Sequence, residues 1–435
     1  MRICVIGAGY VGLITAAGLA ASGQGVTCVE KISEKIDALQ KGDVPFFEPG
    51  LKELLEQGIK NKKINFTADM ERAANNNQLF FVCVGTPSLP NGQVDLSQVY
   101  GVLKVIYSKA EEDAIIIMKS TVPPGTGLRL IREIMTNHKQ PNKIEYVSNP
   151  EFLREGQALQ DWFNPDRIVI GAKDKAAAEI VKQLYKNIKA PVLNTDITSA
   201  EIIKYASNAF LTMKVSFINE VANLCDVILA NIDDVAYGVG LDKRIGHAFL
   251  KAGIGYGGSC FPKDSRGLDF LSAQYGYDFH LLNASIRVNG NQKFRAVQKL
   301  LKGLGDLHDK KIALYGLSFK PHTDDVRESI SLELINILQK EGAIIQAYDP
   351  IASGNAEKII SSNHRLIYAK NAYENAKECN ALVLVTEWPQ FADLDWKKIK
   401  ETMSDPYLFI DGRNFFDPVE MRACGFQYEG IGRKA

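Results

Sequence analysis

The chain has 435 residues, 46% of them apolar and 23% charged, and its 51 basic side chains balance 51 acidic ones. That length exceeds what one hydrophobic core organises, and the composition excludes a disordered or fibrous chain. The charge balance removes any broad attraction to nucleic acid or to an anionic membrane, so an anionic ligand has to be held by local groups.

Residues 3–21 carry no charge and approach the length of a membrane span, but Gly7, Gly9, Gly12 and Gly18 interrupt them. The pattern predicts a buried strand, a turn and a helix. Gly7-Ala8-Gly9-Tyr10-Val11-Gly12 follows the strand-like run directly. Gly7 permits a tight turn, Gly9 lets the backbone approach a pyrophosphate, and Gly12 lets the helix pack on the strand with its N-terminus towards the phosphates. Glu30 closes the second apolar run, where a carboxylate accepts ribose hydroxyls and repels a 2′-phosphate, which favours NAD over NADP.

Short apolar runs at 3–6, 26–29, 79–84, 115–118, 146–147 and 168–170 read as strands, with helical spacing between them at 13–22 and 96–110. This alternation predicts an α/β domain with parallel strands and right-handed crossovers. Gly85-Thr86-Pro87 and Ser120-Thr121-Val122 each follow a strand, at the carboxyl edge where such sheets bind ligands. In the stretch Asn149-Pro150-Glu151-Phe152-Leu153-Arg154-Glu155-Gly156, Glu151 and Glu155 are spaced to share one helical face, as are Lys204 and Asn208. On spacing alone a solvated helix surface accounts for both pairs.

From about 199 to 229 the chain lacks proline and glycine, and apolar residues recur every three or four positions. This predicts one helix of roughly 45 Å, long enough to bridge domains and to offer a surface to a second subunit. Residues 253–264 form a glycine-rich loop that runs into a helix and places Cys260 at the junction, with Lys263 and Asp264 behind it. A helix N-terminus and a nearby cation favour a thiolate able to attack an aldehyde. Cys4, Cys28, Cys83 and Cys379 read instead as buried small hydrophobes, and the scattered odd set of seven reads as reduced thiols in a cytoplasm. No His/Cys pattern suggests a metal. From residue 310 onward, runs at 311–315, 343–348, 381–385 and 408–410 predict a second, smaller doubly wound domain. The expected divisions are 1–196 for a dinucleotide-binding Rossmann domain, 197–300 for a central helical domain, and 301–435 for a Rossmann-like substrate domain.

Taken in order, these segments resemble the UDP-glucose 6-dehydrogenase family, within the UDP-glucose/GDP-mannose dehydrogenases. The resemblance runs from the opening glycine motif through Phe46-Phe47-Glu48-Pro49-Gly50-Leu51, the 149–156 stretch, Pro165-Asp166-Arg167-Ile168-Val169-Ile170-Gly171, the long helix and the Cys260 loop. It continues through residues 316–329, Tyr348-Asp349-Pro350 and Asp411-Gly412-Arg413. It implies oxidation of the C6 hydroxyl of UDP-glucose to a carboxylate in two steps, through a thiohemiacetal and a thioester on Cys260. It also implies that Lys204 and Asp264 surround the reacting oxygen, that Asn208 and Thr121 position groups, and that Glu151 or Glu155 assists water. NAD contacts are implied for Tyr10, Val11, Lys35, Thr86, Thr121, Glu155, Lys263 and Arg327. Sugar-nucleotide contacts are implied for Glu151, Phe152, Leu153, Tyr256, Gly257, Phe319, Lys320 and Arg413, with Arg244 reaching the substrate of a neighbouring subunit. A homodimer through the 199–229 helix is expected. Related dehydrogenases acting on GDP-mannose, UDP-N-acetylglucosamine or UDP-N-acetylmannosamine are the nearest alternative reading. A 2- or 3-hydroxyacid dehydrogenase is more distant, since it needs neither Cys260 nor the third domain.

Overall fold

A computed structural model describes residues 1–135 and 142–433. Two compact units make up the chain: Met1–Ser207 together with Arg266–Tyr275, and Asn208–Ser265 together with Gly276–Ala435.

The first unit is built on an eight-stranded sheet. Its strands are β1 (Ile3–Ile6), β2 (Val26–Val29), β3 (Ile64–Thr67), β4 (Leu79–Val82), β5 (Ala114–Met118), β6 (Ile144–Ser148), β7 (Ile168–Ala172) and β8 (Val192–Thr195). They lie in the order β3-β2-β1-β4-β5-β6-β7-β8. Central β1 shows why the sequence alternates strands and helices. Ile3 and Val5 enter one buried cluster, and Cys4 and Ile6 enter another on the opposite face. A strand covered on both faces has no polar side, so it appears as an unbroken apolar run. The expectation of an all-parallel sheet fails at one place, because β6 and β7 pair antiparallel through Val147 with Ala172. The connection between them folds back through the loop at 149–157 and a short helix, Ala158–Phe163, in place of a full crossover.

The second unit repeats the plan with six parallel strands: β9 (Lys311–Tyr315), β10 (Ile344–Tyr348), β11 (Leu366–Tyr368), β12 (Ala381–Leu384), β13 (Leu408–Asp411) and β14 (Gln427–Glu429). Their order is β11-β10-β9-β12-β13-β14. Here Ile312 and Leu314 of β9 face one cluster, while Ala313 and Tyr315 face the other. The four strands that the sequence did not betray, β3, β8, β11 and β14, are the four sheet edges. Each is partly exposed, so its residues mix polar and apolar and no run stands out.

The long helix spans Ile197–Ile228, 32 residues, and the division between the units falls within it. Among the described residues no helix is long and apolar enough to cross a membrane. The uncharged segment near the N-terminus is instead β1 and the helix Tyr10–Ala21, whose residues from Gly12 to Ala20 are buried. Within that helix Gly18 lies under the Trp162 indole, and a Cβ at position 18 would sit 2.0 Å from Nε1. Gly18→Ala gains about 1 kcal/mol of helix propensity, yet it has to displace a buried indole. Overpacking of this kind costs about 1–3 kcal/mol. A lower midpoint in urea unfolding is expected, and Gly18→Ala combined with Trp162→Phe should recover part of it.

Candidate active site

The turn between β1 and the Tyr10–Ala21 helix is held by the protein's own backbone. Gly7 has φ +97°, and a Cβ there would meet the Cys83 carbonyl oxygen at 2.8 Å. A Cβ on Gly12 would fall 1.8 Å from the Gly7 carbonyl oxygen, so helix and strand meet only because position 12 has no side chain. Around Gly9, by contrast, a Cβ would meet nothing within 4 Å, and no side chain caps the helix N-terminus that follows. Open ground before uncapped N–H groups fits the pyrophosphate of a dinucleotide. At the end of β2, Glu30 Oε1 accepts from the N–H groups of Lys31 and Ile32 at 2.8 and 3.2 Å, and Oε2 accepts from Lys35 at 3.0 Å. Burial opposes the charge on Glu30, but Lys35 and the two N–H groups outweigh it and hold the carboxyl below its ordinary value. With two lone pairs on each oxygen, Oε2 retains capacity for a ribose hydroxyl. Beside this turn the Thr86 hydroxyl donates to the Thr121 carbonyl at 2.9 Å, tying the loops after β4 and β5 together.

A second group in the same unit surrounds residues 149–156. Lys119, at the end of β5, is buried and donates to Asn149 Oδ1 at 3.3 Å and to the Tyr185 hydroxyl at 3.5 Å, above the rings of Trp162 and Tyr185. Burial lowers its pKa to about 8, an effect that Lys204 reinforces and that Cys83 and Glu151 oppose. Glu151 is buried too; Oε2 accepts from the Leu153 N–H at 2.5 Å and Oε1 lies 3.4 Å from Lys204 Nζ. Phe152 carries the Arg167 guanidinium 3.7 Å above its ring, with Lys204 Nζ at 5.4 Å. Arg154 is locked to Asp161 by paired bonds of 2.5 and 3.0 Å.

The second unit holds the thiol. Cys260 precedes the helix Phe261–Gln274, and its carbonyl accepts the first intrahelical bond, from the Asp264 N–H at 2.8 Å. The sulfur is half-buried, 3.5 Å from the Ser259 hydroxyl, at a helix end whose dipole favours negative charge. One turn on, the buried carboxylate of Asp264 accepts from Asn208 Nδ2 and from Lys263 Nζ, each at 2.6 Å. The remaining cysteines separate cleanly: Cys4, Cys28, Cys83, Cys225 and Cys379 are buried, and burial raises the thiol of each, to about 12 for Cys83 and Cys379. Besides Cys260, only Cys424 is half-exposed.

The loop leading to Cys260 is anchored from several sides. Asn219 accepts from the Gly253 N–H, Asn289 both accepts from and donates to the backbone of Tyr256, and Gly258 N–H reaches the Arg327 carbonyl at 3.1 Å. Arg413 donates Nη1 to the Gly255 carbonyl at 2.7 Å and Nε to the Val385 carbonyl at 2.5 Å. Gly257 lies on the Glu328 carbonyl and Gly258 on the Phe319 ring, with Lys320 Nζ 5.4 Å above that ring. Two buried aspartates set the flanking loops. Asp349 accepts from the N–H groups of Leu317 and Ser318 ahead of Phe319 and Lys320, and Asp411 accepts from those of Arg413, Phe415 and Phe416.

Several expectations from spacing need correction. Glu151 and Glu155 share no helical face, because residues 149–156 form no helix. Pro150 lacks an N–H, and the Glu151, Arg154 and Gly156 contacts hold the segment as a loop. Lys204 and Asn208, which spacing alone left on a solvated surface, are buried, as is Glu151. Arg327 and Arg244 form bidentate pairs with Asp325 and Asp242, and the side chain of Arg244 is 88% exposed. Sequence reasoning passed over Glu48, Lys119, Asp349 and Asp411. A lone lysine closing the apolar run of β5 was the available signal for Lys119; the other three lay in quoted motifs without a task.

Comparison with known proteins adds the following. Residues 1–189 match the NAD binding domain of the UDP-glucose/GDP-mannose dehydrogenase family, residues 198–291 its central domain, and residues 313–418 its UDP binding domain. The chain is 44% identical to the UDP-glucose 6-dehydrogenase YwqF of Bacillus subtilis, over all of this chain and 98% of that protein. It is 43% identical to the UDP-glucose 6-dehydrogenase of Rhizobium meliloti over the full length of both. The solved UDP-glucose dehydrogenase of Pyrobaculum islandicum superposes with a TM-score of 0.92 at 35% identity, covering 99% of this chain and 98% of that one.

The buried Lys119 has a consequence for stability. Unfolded, it titrates near its ordinary 10.5; folded, near 8. Between those values the unfolded chain binds more protons, so this residue makes stability rise with pH from about 8 to 10.5, while below 8 its full penalty applies. Lys119→Met should therefore be more stable at pH 7, by on the order of 3 kcal/mol, and the gap to wild type should close as pH approaches 10.5. Urea unfolding at several pH values measures the difference.

Proposed function

Because the chain belongs to the UDP-glucose/GDP-mannose dehydrogenase family, we propose that it oxidises the C6 hydroxyl of UDP-glucose to the carboxylate of UDP-glucuronate through a covalent adduct on Cys260. The observation that carries the mechanism is the half-buried Cys260 thiol at a helix N-terminus, one turn from an Asp264 held by Asn208 and Lys263. Two NAD molecules, bound in turn, would each accept one hydride, giving two NADH per sugar, and water would supply the added oxygen. The Cys260 sulfur adds to the C6 aldehyde, which gives a thiohemiacetal and, after the second oxidation, a thioester. Lys204 stabilises negative charge developing on the C6 oxygen, and Asp264 orients groups around it. Glu151 or Glu155 assists the water whose oxygen replaces sulfur at the carbonyl carbon, releasing the thiol. Thr121 and Asn208 position these groups.

Tyr10, Val11, Glu30, Lys35, Thr86, Lys263 and Arg327 are proposed to serve the dinucleotide. Phe152, Leu153, Tyr256, Gly257, Phe319, Lys320 and Arg413 are proposed to serve the sugar nucleotide, the last two at its diphosphate. We assign residues 1–196 to the cofactor, 197–300 to the central helices and 301–435 to the UDP moiety. A reducing cytoplasm suits a working thiol and the seven cysteines, which are free of disulfides.

A homodimer completes the proposal. Phe210, Phe217, Leu224, Val227 and Ile228 of the long helix are all exposed, and the first three recur at seven-residue spacing along one stripe. A contiguous apolar stripe of this kind calls for a partner, and a second copy presenting the same stripe covers it by two-fold symmetry. Arg244, on the same chain but exposed, is then proposed to reach the neighbouring subunit's substrate.

These readings make the following outcomes expected. Wild-type protein should form two NADH per UDP-glucose consumed and should prefer UDP-glucose within a panel of nucleotide sugars. Cys260→Ala should lose several orders of magnitude in acid formation while still binding UDP in a calorimeter. Near wild-type turnover by Cys260→Ala overturns the covalent route, and preference for another nucleotide sugar reassigns the substrate. Separately, Phe217→Glu should shift sedimentation from dimer to monomer; an unchanged sedimentation coefficient removes the helix from the interface.

A further inference from the structure

The segment Phe46-Phe47-Glu48-Pro49-Gly50-Leu51 has no task in the chemistry above, yet it holds a buried carboxylate against the cofactor turn. Phe46 packs on the Tyr10 ring with centroids 4.8 Å apart. Two residues on, Glu48 Oε2 accepts from the Tyr10 hydroxyl and, at 2.6 Å, from the Gly156 N–H, while Oε1 accepts from the Ala158 N–H at 2.7 Å. The Tyr10 hydroxyl is itself 3.1 Å from the Gly156 nitrogen. One side chain therefore joins three segments: the glycine turn through Tyr10, the end of the 149–156 loop through Gly156, and the start of the Ala158–Phe163 helix through Ala158. Burial, together with the Glu48 and Glu155 carboxylates, keeps the Tyr10 phenol protonated far above its usual range, so it remains a donor.

All three partners donate. Only a carboxylate, which accepts at both oxygens and donates at neither, satisfies them together; an amide turns its NH₂ against an N–H. Gly156 has φ +78°, so the chain reverses at the point where Glu48 grips it.

We propose that Glu48 is a positioning residue, which fixes the loop bearing Glu151 and Glu155 to the dinucleotide turn and so couples cofactor binding to the placement of those carboxylates. This rests on the reading given under Proposed function, in which the turn takes NAD and the loop takes part in the chemistry. Glu48 touches neither reacting atom; it acts through Tyr10, Gly156 and Ala158.

Glu48→Gln and Tyr10→Phe test it in the full-length protein. In Glu48→Gln without ligand, amide hydrogen exchange at Gly156 and Ala158 should accelerate roughly ten-fold or more. NADH affinity, read by fluorescence without any sugar, should weaken several-fold, and kcat should fall at least about ten-fold beyond any change in the KM for the sugar nucleotide. UDP affinity by calorimetry should stay at the wild-type value. Tyr10→Phe leaves both backbone bonds to Glu48, so exchange should accelerate modestly at Gly156 alone, and the double variant should lose no more than Glu48→Gln. If Glu48→Gln does not fold, Tyr10→Phe decides by exchange alone, since Tyr10 is itself assigned to the cofactor: faster exchange at Gly156 supports the coupling, and wild-type exchange there overturns it. Wild-type exchange and NADH affinity in a folded Glu48→Gln also overturn it, as does a kcat loss that follows only a lowered melting temperature. Should the wild-type protein fail to oxidise UDP-glucose, the functional reading falls, while exchange and NADH binding still judge Glu48.

Discussion

A buried backbone N–H must find an acceptor, and at several loops beside the candidate site the acceptor is a carboxylate. Glu30 takes the N–H groups at the end of β2, Glu48 those of Gly156 and Ala158, and Glu201 those of Gly125 and Gly127 at 2.7 and 2.8 Å. In the second unit Asp349 and Asp411 do the same beside Lys320 and Arg413. The arrangement solves two problems at once. Loops at the carboxyl ends of strands lose water and gain charge-assisted bonds, and anions that could not be buried alone are solvated by fixed dipoles. Burial still tells: Glu201 is pushed up to about 7, and Asp411 is raised, despite their N–H partners.

This method of holding loops explains why chemistry-bearing groups can be buried without collapsing into inert pairs. Lys204 has Glu151 at 3.4 Å, longer than a tight salt bridge, because Glu151 gives its other oxygen to the Leu153 N–H. Asp264 is divided between Asn208 and Lys263. Such placement is what catalysis by oriented charge requires, since groups fixed before reaction need no reorganisation during it.

The seven cysteines show the same contrast between packing and chemistry. Five sit in the cores, where burial holds the thiol neutral, and they serve as small apolar side chains. Cys260 is half-exposed at a helix start, ahead of an acidic first turn. What separates it from the others is its position in the fold, prepared by glycines at 257 and 258 that bring the loop onto the Glu328 carbonyl and the Phe319 ring.

The sequence by itself determined the central strands, because a strand covered on both faces must be apolar throughout. It also determined the glycine turn, because Gly7 and Gly12 stand where any Cβ meets backbone, and it marked Cys260 by its glycine-rich approach to a helix. The edge strands β3, β8, β11 and β14 stayed hidden, since an edge is exposed on one side and its pattern merges with that of a loop. Burial of Glu151, Lys204 and Asn208 was equally hidden: spacing by four residues specifies a shared helical face and cannot say whether that face meets solvent. For Glu151 even the helix was wrong, because Gly156 and Ala158 bond to Glu48, more than a hundred residues away in the chain. Only the tertiary structure could decide these points, because each depends on an acceptor or a covering surface supplied by a distant segment, and local periodicity carries no record of that partner.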